Sequence, residues 1–75
     1  MHDNLARAIR YHRKHAGLTR KDLSLLSGVS QTAIYDVEHG KPTVQLATVT
    51  ALLDALNLEL RLEGPMMQAF RKDEG

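Results

Sequence analysis

The sequence predicts an all-α domain of four helices followed by one C-terminal β-strand. Up to residue 57, apolar residues recur at helical spacing in four stretches, each bounded by a glycine, a proline or a capping residue. From Leu58 to Glu63, leucine alternates strictly with charged residues, which is typical of a strand. We therefore divide the chain into a helical domain (1–57), a strand (58–63) and a flexible tail (64–75).

The length and composition restrict the class of protein. Seventy-five residues without cysteine make one small domain with neither a disulfide nor a thiolate metal site. A core of this size rarely supplies more than ~3–5 kcal/mol, so we expect a second copy of the chain to add stability. No apolar run approaches the ~20 residues of a membrane span, and the N-terminus does not resemble a secretory signal. These features indicate a protein of the cytoplasm.

The charge is divided unevenly along the chain. Residues 1–41 carry seven Lys or Arg against four acidic residues, a net charge of +3. Residues 42–75 carry three against five, a net charge of −2. A polyanion would therefore meet the N-terminal half, and a dimer would double that basic surface.

The first two helices are bounded by recognisable end signals. The first is predicted from about Asp3, as N-cap, to His15, with Gly17 ending it. The second begins after the N-cap Thr19, with the Asp22 carboxylate in its first turn. The predicted inward residues are Leu5, Ala8, Ile9 and His12 in the first helix and Leu23 and Leu26 in the second.

The third and fourth helices follow the same logic. Ser30 is the predicted N-cap of the third, which runs to about His39. The fourth is predicted from about Val44 to Leu56, with Thr43 as its cap. The predicted inward residues are Ile34 and Val37 in the third helix and Leu46, Val49, Leu52, Leu53 and Leu56 in the fourth.

The alternating segment predicts how two chains would meet. Leu58, Leu60 and Leu62 share one face of the predicted strand. An isolated strand cannot satisfy its backbone groups, so its natural partner is the same strand of a second subunit, antiparallel about a two-fold axis. The alternative is a frayed extended tail.

The tail leaves two structures open. It is polar except for Met66, Met67 and Phe70, and it is either disordered or a short helix that starts at Pro65. Its apolar side chains could dock into a protein partner, or they could be incidental.

The second and third helices, joined by a tight turn at Gly28, are typical of the helix-turn-helix. In this motif the second helix presents side chains to base edges in the major groove of double-stranded DNA. Gln31 is the main candidate, because its amide matches the N6 and N7 atoms of adenine. The candidate base-contacting residues are Ser30, Gln31, Thr32 and Tyr35, and the candidate phosphate contacts are Thr19, Arg20, Lys41 and Thr43.

Three stretches, Ala16–Leu23, Gly28–Ile34 and Val37–Pro42, resemble the Xre/Cro-CI family of phage-repressor-like domains. Within that family, Gly40–Leu46 and Leu56–Leu60 resemble the HipB-type antitoxins. This resemblance implies a dimeric autorepressor that partners a HipA-type kinase toxin and dimerises through a C-terminal strand. The two recognition helices of such a dimer would bind a palindromic operator in successive major grooves.

The resemblance also implies an ion pair between Arg13 and Glu38, which would tie the first helix to the end of the recognition helix; the alternative is two solvated surface charges. The chain departs from the family at two positions. Arg20 stands where the family usually has glutamine, which puts in doubt the bracing of Gln31, and His12 stands where it prefers leucine.

The predicted function is therefore a sequence-specific transcriptional repressor, associated with the nucleoid, that is also an antitoxin. The alternatives are a stand-alone phage-type regulator and a toxin-binding module in which DNA binding is secondary. We predict neither catalysis nor a cofactor, because the sequence has no glycine-rich phosphate loop or nucleophile elbow. His12 and His15 are spaced to share a metal ion, but no third ligand accompanies them, so we predict no metal site.

Overall fold

The computed structural model describes residues 3–75, with side chains from Asn4 onward. Within that range the chain forms five helices and no strand, so the predicted count of four helices is wrong. The N-cap role predicted for Asp3 lies outside the described side chains. The helices are α1 (Asp3–His15), α2 (Arg20–Ser27), α3 (Gln31–Glu38), α4 (Leu46–Ala55) and α5 (Met67–Glu74).

The first four helices enclose one apolar core. α2 packs against α3 and α4, and α3 is also in contact with α1 and α4, so three helices support α3 from behind. Every residue of the large buried cluster lies on a predicted inward face, which confirms the helical periodicity of this part of the chain, although Ala6, which was not predicted to turn inward, is also buried. The buried cluster consists of Ile9, Leu23, Ile34, Val37, Val49, Leu52 and Leu53.

The inward face of α2 differs from the prediction. Leu23 is fully buried, but Leu26 is 64% exposed, so its predicted inward orientation is wrong. The residues of α2 that turn inward are spaced at i, i+3, i+4 and i+7 from Arg20, which places Ser27 rather than Leu26 beside Leu23. The half-buried Ser27 hydroxyl keeps a hydrogen-bond partner in this position, because it donates to the Leu23 carbonyl at 2.7 Å. On the inward face of α2, the polar residue Ser27 therefore takes the position that the hydrophobic pattern predicted for Leu26.

The start of α4 also differs from the prediction. The helix begins at Leu46 after the N-cap Gln45, whose side chain makes no capping bond, so the predicted start at Val44 and the cap at Thr43 are wrong. Val44 instead packs against the core from the preceding loop. Leu46 is 64% exposed, because the first turn of α4 extends past the edge of the core.

The segment 58–63 is not a strand in the single chain. It has no regular secondary structure, and only Leu58 is half-buried against the core, whereas Leu60 and Leu62 are exposed. Asn57 takes a left-handed conformation with φ 57°. The Leu58 amide then donates to the Leu53 carbonyl at 2.8 Å, which ends α4 and fixes the path of the next residues. A strand needs a partner for its backbone groups, and one chain provides none here.

Of the two structures left open for the tail, the chain adopts the helix, α5, which starts two residues after Pro65. None of its residues is buried, and its N-cap Met66 makes no side-chain capping bond. The side chain of Arg71 donates to the Leu62 carbonyl at 3.0 Å and lies 3.6 Å from the Glu63 carboxylate. These two polar contacts connect α5 to the preceding segment.

Candidate nucleic-acid interface

The start of α2 is fixed by a reciprocal capping box. The Thr19 hydroxyl accepts from the Asp22 amide at 3.0 Å, and the Thr19 amide donates to the Asp22 carboxylate at 2.9 Å. These bonds from Thr19 hold the pKa of Asp22 below the usual value of 3.8, because they favour the charged carboxylate. The box therefore sets where the chain enters the helix-turn-helix.

The turn between α2 and α3 favours glycine. Gly28 has φ +76°, a conformation that L side chains rarely adopt, and its amide donates to the Ser24 carbonyl at 2.9 Å. Two residues later the Ser30 hydroxyl accepts from the Ala33 amide at 3.1 Å, as the predicted N-cap of α3. The turn and this cap direct the first residues of α3 towards solvent.

The two faces of α3 are sharply different. Ile34, Val37 and Glu38 are buried against the other helices. On the opposite side Gln31 and Thr32 are exposed, and Tyr35 is about half exposed. Three of the four predicted base-contacting side chains therefore stand on one solvent-facing surface, whereas the hydroxyl of the fourth, Ser30, is bound as the N-cap of α3. Together with Arg20 these three line a shallow open recess, whose residues are Arg20, Gln31, Thr32 and Tyr35.

Behind this surface, Glu38 is the centre of a buried ion cluster. Its carboxylate accepts two bonds from the Arg13 guanidinium, from Nε at 2.6 Å and from Nη2 at 3.0 Å. Arg13 also donates to the Leu18 carbonyl at 2.9 Å, so α1, the following loop and α3 are joined. Arg20 adds a third contact to Glu38, at 3.3 Å. The pair that the resemblance implied is thus a buried, two-point interaction that also includes α2.

Arg20 also contacts the exposed surface. Its guanidinium carbon lies 5.2 Å from the centre of the Tyr35 ring, within cation–π distance. The same ring stacks on the imidazole of His39 with the ring centres 3.8 Å apart. No hydrogen bond from Arg20 to Gln31 occurs among residues 3–75; instead, Arg20 bridges the buried carboxylate and the Tyr35 ring.

The four candidate phosphate contacts differ in exposure and in the bonds that they already make. Thr19 is exposed but its hydroxyl is used in the capping box, and Arg20 is one-third exposed while bound to Glu38. Lys41 is exposed and lies 3.5 Å from the Asp36 carboxylate, at the C-terminal end of α3. Thr43 is exposed in the loop before α4. Lys41 and Thr43 line one groove, together with Asp36.

Sequence reasoning missed the contact of His39 with Tyr35 and the bridging position of Arg20. For His39 a signal existed, because Tyr35 and His39 are four residues apart and such pairs meet on a helix surface. For Arg20 the only signal was its departure from the glutamine of the family. A partner 18 residues away in the chain, Glu38, cannot be assigned from spacing alone.

The two histidines considered above as metal ligands, His12 and His15, form hydrogen bonds to backbone carbonyls of their own helix, α1. His12 Nδ1 donates to the Ala8 carbonyl at 2.7 Å and His15 Nδ1 to the Tyr11 carbonyl at 3.0 Å. Among the described residues, no three His, Asp or Glu side chains are grouped to hold a metal ion. None of the described helices is long and apolar enough to cross a membrane.

The comparison with family models agrees with this geometry. The model of a helix-turn-helix family of the Xre/Cro-CI type matches residues 9–62, which is more than half of the chain. No curated protein matches the chain. The matched range contains α2, α3 and all four residues of the recess. The chain belongs to the helix-turn-helix family, and its domain is that of a DNA-binding transcriptional regulator.

Proposed function

We propose that the chain is a sequence-specific repressor that binds a palindromic operator through α3, in the cytoplasm and on the nucleoid. The observation that carries the proposal is the geometry of α3. Its outer face presents Gln31, Thr32 and Tyr35 in a solvent-facing recess, and its inner face is buried against the other helices. A rigid helix can place several side chains in a major groove at once, whereas a mobile one loses affinity to ordering. Gln31 is the principal base-reading residue, since its amide can bond adenine bidentately.

Substitution of Gln31 tests this proposal. Gln31→Ala is expected to cost roughly 1–3 kcal/mol on operator DNA and to leave non-specific binding nearly unchanged. Gln68→Ala is the matched control, because Gln68 is also an exposed glutamine but lies on α5. Affinities are measured by fluorescence anisotropy on specific and non-specific duplexes at one fixed salt concentration. Equal losses on both duplexes would refute the base-reading role.

Lys41 has a different predicted role, since a phosphate contact carries no sequence information. Lys41→Ala should weaken binding to all sequences alike and reduce the slope of log affinity against log salt by about one. Lys72→Ala, which removes an exposed lysine from α5, should leave that slope unchanged. A slope that Lys41→Ala does not alter would remove Lys41 from the phosphate contacts.

The proposed repressor is a homodimer, and its interface includes the predicted dimerisation residues Leu58, Leu60 and Leu62. Leu60 is 57% exposed and Leu62 is 76% exposed, although both are leucines. Leu58 and Leu60 border an apolar recess between α1 and α4 that Leu5 and Leu46 also line. Pairing of two 58–63 segments would satisfy their backbone groups and cover these leucines together.

The oligomeric state tests this part of the proposal. Leu60→Glu is expected to convert the dimer into a monomer, because a charge would be buried in the interface. Leu25→Glu is the matched control, since Leu25 is equally apolar and 77% exposed but lies on α2. Sedimentation velocity over a range of concentrations gives the outcome. A wild-type protein that stays monomeric, or a Leu60→Glu variant that stays dimeric, would contradict the proposed interface.

A second candidate function is that of an antitoxin that binds a HipA-type kinase toxin. It is favoured by the similarity of Gly40–Leu46 and Leu56–Leu60 to HipB-type antitoxins, and by α5, which exposes apolar side chains. Met66 is 72% exposed and Phe70 is 54% exposed, so this helix offers apolar contacts to a partner. A stand-alone phage-type regulator would need no such partner.

The neighbouring gene distinguishes the two candidates. An adjacent reading frame for a kinase supports the antitoxin, and its product should co-purify with this chain. Deletion of residues 66–75 should abolish co-purification if α5 is the contact, whereas Gln68→Ala should preserve it. A kinase that co-purifies equally with the deletion variant would exclude α5 as the contact, and a locus without a kinase would favour the stand-alone regulator.

A further inference from the structure

Two neighbouring side chains, His39 and Arg20, contact the Tyr35 ring, and a contact between Tyr35 and a base does not by itself require either of them. The Tyr35 ring stacks on His39 at 3.8 Å between centres and 21° between planes. The imidazole is itself fixed, because its Nδ1 donates to the Tyr35 carbonyl at 2.7 Å. The guanidinium carbon of Arg20 lies 5.2 Å from the centre of the same ring. An aromatic ring that is about half exposed is therefore restrained by a flat group from its own helix and by a cation from α2.

The cation is anchored in the core of the protein. Arg20 contacts the Glu38 carboxylate at 3.3 Å, and the side chain of Glu38 is fully buried. Arg13 holds that carboxylate by two further bonds. The position of Arg20 over the Tyr35 ring is thus set by an interaction inside the domain, so solvent does not decide where the guanidinium lies.

A second Tyr–His pair on α1 shows what is particular to α3. Tyr11 and His15 are also four residues apart, with stacked rings at 3.9 Å and a His15 Nδ1 bond to the Tyr11 carbonyl at 3.0 Å. Among residues 3–75, however, no guanidinium lies over the Tyr11 ring; Arg20 over Tyr35 is the one such contact found. The stack alone is a property of helix spacing, and the anchored cation is added only where the ring borders the recess.

We infer that Arg20 and His39 are positioning residues that hold Tyr35 as a specificity-determining residue for DNA. This inference rests on the proposed function and deepens it. A ring that is already ordered loses less conformational freedom on binding, so its contact with a base edge or a thymine methyl discriminates more strongly. Arg20 thus orders the reading surface through Tyr35, in place of a hydrogen bond to Gln31.

Selection from a random pool tests the inference without knowledge of the operator. The probe is a pool of double-stranded DNA with a randomised window of about 20 base pairs, long enough for two half-sites. The base pairs read by Tyr35 are those whose preference Tyr35→Ala loses. At these positions we expect His39→Ala and Arg20→Lys to lose roughly tenfold in preference, because lysine keeps the charge but not the planar group. The preference at the other positions should stay unchanged.

Two further variants separate positioning from a general structural role. His39→Phe retains a flat ring beside Tyr35 and should restore the preference that His39→Ala loses. His15→Ala removes the matched Tyr–His stack on α1 and should leave every base preference unchanged. A merely structural role would instead lower the affinity for all sequences by one common factor, and the non-specific duplex reports this directly.

The outcomes distinguish the inference from the function on which it rests. If the wild-type protein enriches no sequence, the proposed function fails and the inference fails with it. If the wild-type protein enriches a site and the Arg20→Lys and His39→Ala variants keep every preference, the positioning role alone is overturned. Loss at the Tyr35 positions with rescue by His39→Phe establishes it.

Discussion

The α1–α4 body and the segment from Leu58 to Gly75 are held by different forces. The body has an apolar core, a buried ion cluster around Glu38 and side-chain caps on α2 and α3. In the later segment no residue is buried, and polar contacts, two from the Arg71 side chain and one from the Met67 amide to the Gly64 carbonyl, connect α5 to the preceding residues. The recess on α3 belongs to the body. The proposed DNA-reading surface is thus built on the part with a buried core, whereas the later segment leaves apolar side chains such as Leu62 and Met66 exposed.

The largest loss of stability is expected when the ion cluster of the body is broken. Arg13→Ala and Glu38→Ala should each lower the free energy of unfolding by about 3–5 kcal/mol, because each leaves an opposite charge buried without its main partner. Thermal or urea denaturation measures the loss. Lys41→Ala is the control, since its 3.5 Å pair with Asp36 is exposed and should be worth less than about 1 kcal/mol. Negligible shifts in both cluster variants would show that the pair is not structural.

A smaller loss of stability is expected from substitution of Gly28, in the turn between α2 and α3. Gly28→Ala should destabilise by about 1–2 kcal/mol, since alanine is disfavoured at φ +76° although no atom lies within 4 Å of its Cβ position. Gly28→Asn should cost less, because asparagine tolerates this conformation better. Urea denaturation of the two variants distinguishes backbone strain from steric contact. Equal stability of Gly28→Ala and the wild-type protein would contradict the role of the turn.

The cap of α2 should make the body sensitive to acid. The bonds from Thr19 lower the pKa of Asp22 in the folded protein. Its contribution to stability is therefore complete above the unfolded-state pKa and is lost as the pH falls through the folded-state value. Asp22→Asn should flatten the stability profile in that acidic range, as measured by urea denaturation at a series of pH values. Parallel profiles for Asp22→Asn and the wild-type protein would contradict this role.

The smallest effect is expected in the C-terminal segment. Phe70→Ala should change the free energy of unfolding by no more than about 0.5 kcal/mol, because Phe70 is 54% exposed on a helix without buried residues. Ile34→Ala, in the core of the body, should cost about 2–5 kcal/mol in the same urea titration. A loss above 1 kcal/mol in Phe70→Ala would show that α5 is part of the folded body.

The same two regions differ in how well the sequence predicts them. In the body, helical spacing placed residues such as Ile34 and Val49 correctly, because burial there follows local periodicity. Leu26 was misplaced because the inward face of α2 passes through Ser27. After Leu58 the pattern of leucines favoured a strand, but a strand depends on a partner that spacing cannot supply. At the site, the exposed face of α3 was predictable, whereas the bridge from Glu38 through Arg20 to Tyr35 depends on tertiary distances.

The most direct test of the central claim is a protection footprint on the DNA upstream of the coding sequence of this protein. The wild-type protein is expected to protect two blocks about 10 base pairs apart, related by two-fold symmetry, as two recognition helices in successive major grooves require. Gln31→Ala should abolish this pattern at a concentration where Gln68→Ala preserves it. Absence of any discrete protection by the wild-type protein, or a pattern that Gln31→Ala leaves intact, would contradict the claim that α3 reads the operator.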